Sequence, residues 1–181
     1  MPKTYANIRS SLVIIHVTLS IKIMTPTAIA PVFFAFENDF VDTLRCIPMV
    51  VRYKLDTCGI KLKLPEWVKL TVDDKARLAE QPCYTPAEIA AYRQDLVDLV
   101  ARRCHHPVSE LGPVDAAWER LDAVPDEIHG KALEWECRPL TLAEWLQLDV
   151  LQRFALVKLS RSGHEGKNFP KAIREFFPER M

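Results

Sequence analysis

Residues 34–67 read FAFENDFVDTLRCIPMVVRYKLDTCGIKLKLPEW and carry the strongest fold signal in the chain. Apolar residues recur there three or four positions apart, the stripe of an amphipathic helix, at Phe40, Leu44, Ile47, Val51 and Leu55. Pro48 interrupts the stripe, because a proline removes a backbone donor and crowds the preceding turn. The pattern therefore predicts two helices at an angle, one starting at Asn38 or Asp39 and the next running from Pro48 to near Gly59.

Start signals for further helices follow this stretch. Pro65 opens a short helix after an extended link, and Thr71-x-x-Asp74 has the form of a capping box. Thr85-Pro86-x-Glu88 starts the longest helix, which should run to about Arg103. Another helix begins at Pro125. Its apolar face is predicted to carry Ile128, Ala132 and Trp135.

The second half of the chain repeats the first. Trp145 follows Trp67 at an interval of 78 residues (145 minus 67), and several other residues pair at the same interval. These are Leu55 with Leu133, Leu62 with Leu140, Leu64 with Leu142, Glu66 with Glu144, Leu70 with Leu148, Val72 with Val150 and Leu78 with Leu156. The alternative is a chance alignment, because leucine and glutamate are common in helices. The shared tryptophans and helix caps favour an internal duplication.

These patterns predict an all-α protein, a single compact helical domain of about seven to eight helices with two related halves. The domain is expected to span residues 31–181. Residues 1–30 are expected to be a disordered extension, or a stretch upstream of a native start at Met24. Ala28-Ile29-Ala30 has the form of a signal-peptidase site, but His16 and Lys22 interrupt the apolar run before it.

Composition excludes several classes of protein. Lys and Arg balance Asp and Glu at 24 each, so the chain lacks the net positive charge that draws proteins to nucleic acid. We expect no nucleic-acid and no membrane partner. The five cysteines form no CxxC pair, which fits a reducing cytoplasm. The sequence contains no phosphate-binding glycine loop, no HExxH and no GxSxG, so we expect no enzyme and no cofactor.

Two clusters of residues could bind a metal. Cys104-His105-His106 combines thiolate and imidazole, but adjacent helical positions point about 100° apart, and a fourth ligand would have to come from Cys83 or His129. A helix end with solvated histidines is the alternative. A metal or iron–sulfur site, serving electron transfer or cofactor delivery, would use Cys46, Cys58, Cys83 and Cys104. Packing of these cysteines as small apolar residues is the competing interpretation.

A polar loop between two apolar helices is the candidate contact site. It carries Arg161, His164, Glu165 and Asn168 close to two of the few glycines, and polar groups on loops often contact partners. A plain connection is the alternative. The basic residues Arg45, Arg52 and Lys61 form a second candidate partner-binding face.

Residues 34–67, together with the stretch LQRFALVKLSRSGHEGKNFPKAIREF at 151–176, resemble the nitrate reductase-associated protein family. The resemblance is closest at its two ends and looser across 107–125. It implies a cytoplasmic accessory protein or maturation factor for nitrate assimilation. Its partner would be assimilatory nitrate reductase, a molybdopterin and iron–sulfur enzyme, or that enzyme's cofactor-delivery machinery.

Overall fold

The computed structural model describes residues 33–163 and 166–180. Within these ranges the chain forms nine α-helices, which confirms the all-α class and exceeds the expected number slightly. They are α1 (Asn38–Val41), α2 (Met49–Cys58), α3 (Leu64–Lys69), α4 (Val72–Glu80), α5 (Pro86–Cys104), α6 (Asp126–Glu134), α7 (Leu142–Gln147), α8 (Val150–Ser160) and α9 (Phe169–Phe176). The prediction for residues 1–30 lies outside the described residues.

Short elements connect these helices. Two strands, β1 (Ile60–Lys61) and β2 (Ser109–Glu110), form an antiparallel pair with Ile60 opposite Glu110. This pair connects the segment before α3 to the segment after α5 by backbone hydrogen bonds. Turns of 3-10 helix lie at Ala35–Glu37, Ala117–Glu119, Gly166–Asn168 and Pro178–Arg180.

The first predicted helix is shorter than its apolar stripe suggests. It ends at Val41, and Leu44 takes a left-handed backbone conformation with a φ of 46°. In this conformation the carbonyl oxygen of Leu44 accepts a hydrogen bond from the indole Nε1 of Trp67 at 2.7 Å. A long-range contact therefore accompanies the early end of the helix. The second helix agrees with the prediction, because Pro48 precedes it and Gly59 ends it with a φ of 72°.

The predicted helix caps are present. The hydroxyls of Thr71 and Thr85 accept hydrogen bonds from the backbone N–H groups of Asp74 and Glu88, whose carboxylates bond back to the threonine N–H groups. The long helix α5 ends at a left-handed His105, with a φ of 61°. Its predicted stripe faces the core, with Tyr92, Leu96 and Val100 buried and Ile89 partly buried.

The buried side chains form two clusters, one for each half of the chain. The first contains apolar residues between positions 44 and 104. The second contains apolar residues between 117 and 177, joined by Phe34, Phe36 and Met49. Leu151 packs against both clusters, and α2 contacts α8 where the halves meet. The two halves are thus in contact, but each has its own cluster of buried residues.

The repeat appears in the structure around the two tryptophans. Trp67 on α3 and Trp145 on α7 are both fully buried, and each indole N–H donates to a backbone carbonyl oxygen at 2.7 Å. A cation lies over each ring, Lys75 at 5.4 Å and Arg153 at 6.0 Å from the ring centre, and these two residues are also 78 positions apart (153 minus 75). The helix that follows each tryptophan begins with a side-chain cap.

One repeat pair differs in burial, and one expectation for the second half is wrong. Leu133 is 68% exposed although its partner in the repeat, Leu55, is buried. Helix α6 buries its Ile128 and Ala132 face, and the next residue after Ala132 points about 100° away from that face. Trp135 was expected on the same face but is 39% exposed, because α6 ends at Glu134 and the chain leaves the helical path there.

Candidate functional site

Two adjoining cavities form a groove between the N-terminal segment and α2, which we call the basic groove. The first cavity, about 200 Å³, and the second, about 440 Å³, share the residues Cys46, Ile47 and Arg52. The first also includes Arg45, Lys167 and Asn168, and the second also includes Lys61, Leu64 and Lys158. The groove thus combines an apolar floor with several cationic side chains and with the carboxylates of Glu37, Asp39 and Asp56.

The turn between α1 and α2 shapes the first cavity. Arg52, on α2, donates from its Nε to the carbonyl oxygen of Ile47 at 2.8 Å and so braces this turn from the helix. Buried Glu37 accepts hydrogen bonds from the N–H groups of Met49, at 2.8 Å, and Phe34, at 3.2 Å. Its carboxylate lies at the N-terminus of α2, where the helix dipole favours negative charge. Glu37 is therefore part of the scaffold.

The cationic side chains of the groove differ in whether they form an ion pair within the chain. Lys158 is paired with Asp56, with a distance of 2.6 Å between Nζ and Oδ2. Arg45, Lys61 and Lys167 are exposed and form no ion pair with another described residue. These three side chains can contact an anionic group without first breaking an internal ion pair.

The structure brings part of the predicted contact set together. Arg45, Arg52 and Asn168 line the first cavity although more than a hundred residues separate Asn168 from the other two. Lys61 lines the second cavity. His164 and Glu165 lie outside the described residues, so their predicted role stays a prediction. The two candidate faces named from sequence thus meet in one groove through Asn168.

Arg161 has a different environment from the one expected for a contact residue. Its guanidinium bonds to Glu127, at 2.7 Å, and to both the side chain and the backbone carbonyl of Asp115, at 3.2 and 3.1 Å. These bonds tie the end of α8 to α6 and to the segment before the second core. Arg161 therefore contributes to holding the loop in place.

The chain matches a known family over most of its length. A family model described as conserved nitrate reductase-associated protein matches residues 33–176. The chain belongs to this family. No curated protein and no solved structure matched the chain. The match includes both tryptophans and the residues of the basic groove.

The cysteines in the described ranges do not converge as a ligand set. In the described ranges no group of three or more His, Cys, Asp or Glu side chains is arranged to hold a metal ion. Cys58, Cys83 and Cys104 are buried, and their thiols lie 3.6, 4.0 and 3.9 Å from backbone carbonyl oxygens. Burial raises the pKa of Cys58 and raises that of Cys83 to about 12, which keeps both thiols protonated at neutral pH. Cys46 is half-buried in the basic groove.

The histidine cluster after α5 is likewise spread apart. Cys104 points into the core, whereas His105 is exposed and ends the helix. His106 contacts the carbonyl oxygen of Pro107 at 2.8 Å and lies 3.6 Å from the Glu66 carboxylate.

None of the helices in the described ranges is both long and apolar enough to cross a bilayer.

Three features of the surface were missed from sequence. Lys167 joins the basic groove although only its neighbour Asn168 was singled out. The exposed apolar pair Leu64 and Val68 was not predicted, since Leu64 was considered only as a position of the repeat. A further cavity of about 360 Å³ lies beside Trp135 and is lined by Arg138, among other residues. These features depend on which side of each short helix packs, and local spacing does not show that.

Proposed function

We propose that this protein is a non-enzymatic, cytoplasmic accessory protein that supports the activity or maturation of assimilatory nitrate reductase by direct contact. The observation that carries the proposal is the family match over residues 33–176. The family description associates its members with nitrate reductase. We propose that the chain contacts either the enzyme itself or its cofactor-delivery machinery. The family description does not say which step of maturation or activity is supported.

The basic groove is a contact region suited to this role. Arginine makes several directed hydrogen bonds and is enriched at protein interfaces, so Arg45 and Arg52 are suited to contact a partner's carboxylates. Asn168 adds donor and acceptor groups in the same cavity. The apolar floor below them can receive an aliphatic or aromatic side chain. Lys61 extends this region along the second cavity.

A cellular complementation experiment tests the proposal. Cells lacking this gene should grow normally on ammonium but show low nitrate reductase activity on nitrate, and the wild-type gene should restore the activity. A variant with Arg45→Glu and Lys167→Glu should restore less, because reversing two exposed cations repels an acidic partner. A matched variant, Arg77→Glu with Arg102→Glu, changes two exposed arginines outside the groove lining and should restore fully.

Analysis of the enzyme from the deletion strain separates maturation from direct support of activity. Enzyme that lacks molybdenum or iron indicates a maturation role. Enzyme with full metal content and low activity, which recovers when the purified accessory protein is added, indicates support of the assembled enzyme. Normal nitrate reductase activity in the deletion strain grown on nitrate would contradict the proposal.

A further inference from the structure

Each half of the chain exposes an apolar pair on the short helix that carries its buried tryptophan. On α3, Leu64 is 50% exposed and Val68 is 64% exposed. On α7, Leu142 and Leu146 occupy the positions 78 residues later (142 minus 64, 146 minus 68) and are 41% and 48% exposed. Residues four apart lie on one side of a helix, so each pair forms a small apolar patch.

The patch on α3 is continuous with the basic groove. Leu64 lines the 440 Å³ cavity together with buried apolar residues, among them Ile60 and Leu62. A side chain from a partner could therefore enter the cavity while its neighbours cover Leu64 and Val68. Apolar surface that extends from a cavity onto an exposed helix is typical of interaction sites.

The exposed charged residues between positions 61 and 69 are all lysines, and Asp56, which lines the same cavity as Leu64, is paired with Lys158. Lys61, Lys63 and Lys69 are exposed, and none forms an ion pair with another described residue. The single acidic residue of α3, Glu66, is turned inward. Its carboxylate accepts a hydrogen bond from the backbone N–H of Lys63 at 2.6 Å and has only 8% of its side chain exposed.

The equivalent patch on α7 lacks this positive rim. Arg138 is paired with Glu144 at 2.5 Å, so the nearby cation is neutralised within the chain. The two patches thus share an apolar pair but differ in charge. This difference favours an acidic occupant for the α3 patch and gives no such preference at α7.

We propose that Leu64, Val68 and the three surrounding lysines, together called the α3 face, form a docking site for an acidic amphipathic segment of a partner protein. The segment would place aliphatic side chains on Leu64 and Val68 and carboxylates near the lysines. This inference rests on the proposed function in one respect, which is that the partner is taken to belong to the nitrate reductase system. The docking chemistry itself does not depend on it.

Two other occupants fit the charge less well. Residues 1–32 of this chain are apolar in part, but they contain Lys3, Arg9 and Lys22 and no Asp or Glu, so they would add positive charge to a positive rim. A second copy docked by two-fold symmetry would place the same lysines opposite one another. Like charges facing each other across an interface disfavour such a dimer.

Peptide binding to the full-length protein tests the proposal independently of nitrate reductase. The probe is a synthetic helical peptide of about 14 residues with leucines four apart and glutamates on the flanks. Its control carries lysines in place of the glutamates. The wild-type protein should bind the acidic peptide at least about tenfold more tightly than the basic one, and the affinity should fall as salt is raised.

Substitutions then locate the site. Leu64→Ser with Val68→Ser, and separately Lys61→Glu with Lys69→Glu, should each weaken binding about tenfold or more while the circular dichroism spectrum stays unchanged. The matched variant Leu142→Ser with Leu146→Ser should bind like the wild type. Equal weakening by the α7 variant, or equal binding of both peptides, would overturn the proposal. Wild-type self-association that the α3 variant abolishes would assign the face to a second copy instead.

Capture of purified nitrate reductase by the same variants separates this inference from the proposed function. Capture by the wild type that survives both α3 variants leaves the proposed function intact and overturns the docking site on α3. Peptide binding at the α3 face without capture of nitrate reductase or its cofactor-delivery proteins supports the docking chemistry and counts against the proposed partner.

Discussion

The two halves of the molecule share their anchors and differ in how the next helix ends. Around Trp67 and Trp145 the short helix, the indole hydrogen bond, the cation over the ring and the following cap all repeat. After this point α4 stops at Glu80, whereas α8 continues to Ser160, two residues beyond the equivalent position 158. The packing around the two tryptophans is therefore compatible with a shorter α4 and a longer α8.

A buried lysine accounts for the short helix of the first half. The Nζ of Lys54 donates to the carbonyl oxygens of Ala79 and Gln81, both at 2.6 Å, and of Leu78 at 3.3 Å. These carbonyls lie at the end of α4, where they would otherwise lack partners. The equivalent position in the second half holds a buried alanine, Ala132.

This comparison indicates that the two halves share most of their apolar core residues but differ in several of their charged residues. Leucines and tryptophans that fill the two cores recur at a fixed interval, because a repeated helical unit needs the same apolar anchors. Some charged residues recur as well, among them Lys75 with Arg153 and Glu66 with Glu144, but others do not. Lys54 ends a helix, and Lys61, Lys63 and Lys69 surround the α3 patch, whereas the second half neutralises Arg138 with Glu144. The first half therefore has the more polar surface for contacts.

The largest expected effect tests the shared anchors. Trp67→Ala and Trp145→Ala should each lower the free energy of unfolding by about 3–5 kcal/mol, because both indoles are fully buried and hydrogen-bonded. Urea denaturation of the two variants measures the loss. A near-neutral result for one of them would break the equivalence of the two halves.

Replacing the buried lysine should have the next largest effect. Lys54→Met removes the donor from three carbonyl oxygens and should cost about 2–3 kcal/mol. Lys75→Met is the control, because Lys75 is buried over the Trp67 ring and its loss should cost about 1 kcal/mol. Thermal or urea denaturation distinguishes the two. A cost for Lys54→Met no greater than for the control would show that α4 ends without help from this side chain.

The same lysine gives the stability a pH dependence of known sign. Burial lowers the pKa of Lys54 to about 8 from the ordinary lysine value of 10.5. Between these values the unfolded chain holds a proton that the folded chain has released, so this group makes the unfolding free energy rise with pH. The difference in stability between the wild type and Lys54→Met should therefore widen from about pH 8 to about pH 10.5. Parallel pH profiles would contradict this assignment.

Glycine is favoured after α2 and after α6, so introducing it after α6 and removing it after α2 should change stability in opposite directions. Gly59 follows α2 with a φ of 72°, and Glu136 follows α6 with a φ of 53°. Glycine adopts such angles without the strain of a side chain. Glu136→Gly should therefore raise the melting temperature, with a gain of about 1 kcal/mol, and Gly59→Ala should lower it by a similar amount. Changes of the same sign would break this part of the comparison.

The smallest effect is expected at Arg161. Its ion pairs with Glu127 and Asp115 are partly exposed, and such pairs contribute up to about 1 kcal/mol. Arg161→Ala should therefore cause a small but measurable loss of stability in urea, whereas Arg102→Ala, at an exposed helix position, should cause less. Full stability together with lost support of nitrate reductase would instead favour the contact role that the sequence suggested.

The fold was largely predictable where the signal is local. The caps at Thr71 and Thr85 and the break at Pro48 depend on residues within a turn of one another, and all are present. The early end of α1 was not predictable, because it coincides with a hydrogen bond between Leu44 and Trp67, 23 residues away. The same reason applies to Arg161, whose partners are 34 and 46 residues distant.

The contact region was predictable only in part. Sequence indicated Arg45, Arg52 and Asn168 as polar groups of two separate faces, and their meeting in one cavity depends on how the chain packs. The exposed α3 pair escaped notice, because an apolar residue every fourth position has the same pattern whether it faces a core or solvent. The charge difference between the α3 and α7 patches could be read only after the exposed sides were known.

Hydrogen–deuterium exchange on the wild-type protein, with and without purified nitrate reductase, tests the central claim most directly. The account predicts that amides of α3 and of the neighbouring groove residues become protected on binding, whereas amides of α7 exchange at an unchanged rate. The two helices have equal length and equivalent tryptophans, so each serves as the reference for the other. Protection of α7 without protection of α3 would contradict the claim that the first half carries the contact surface.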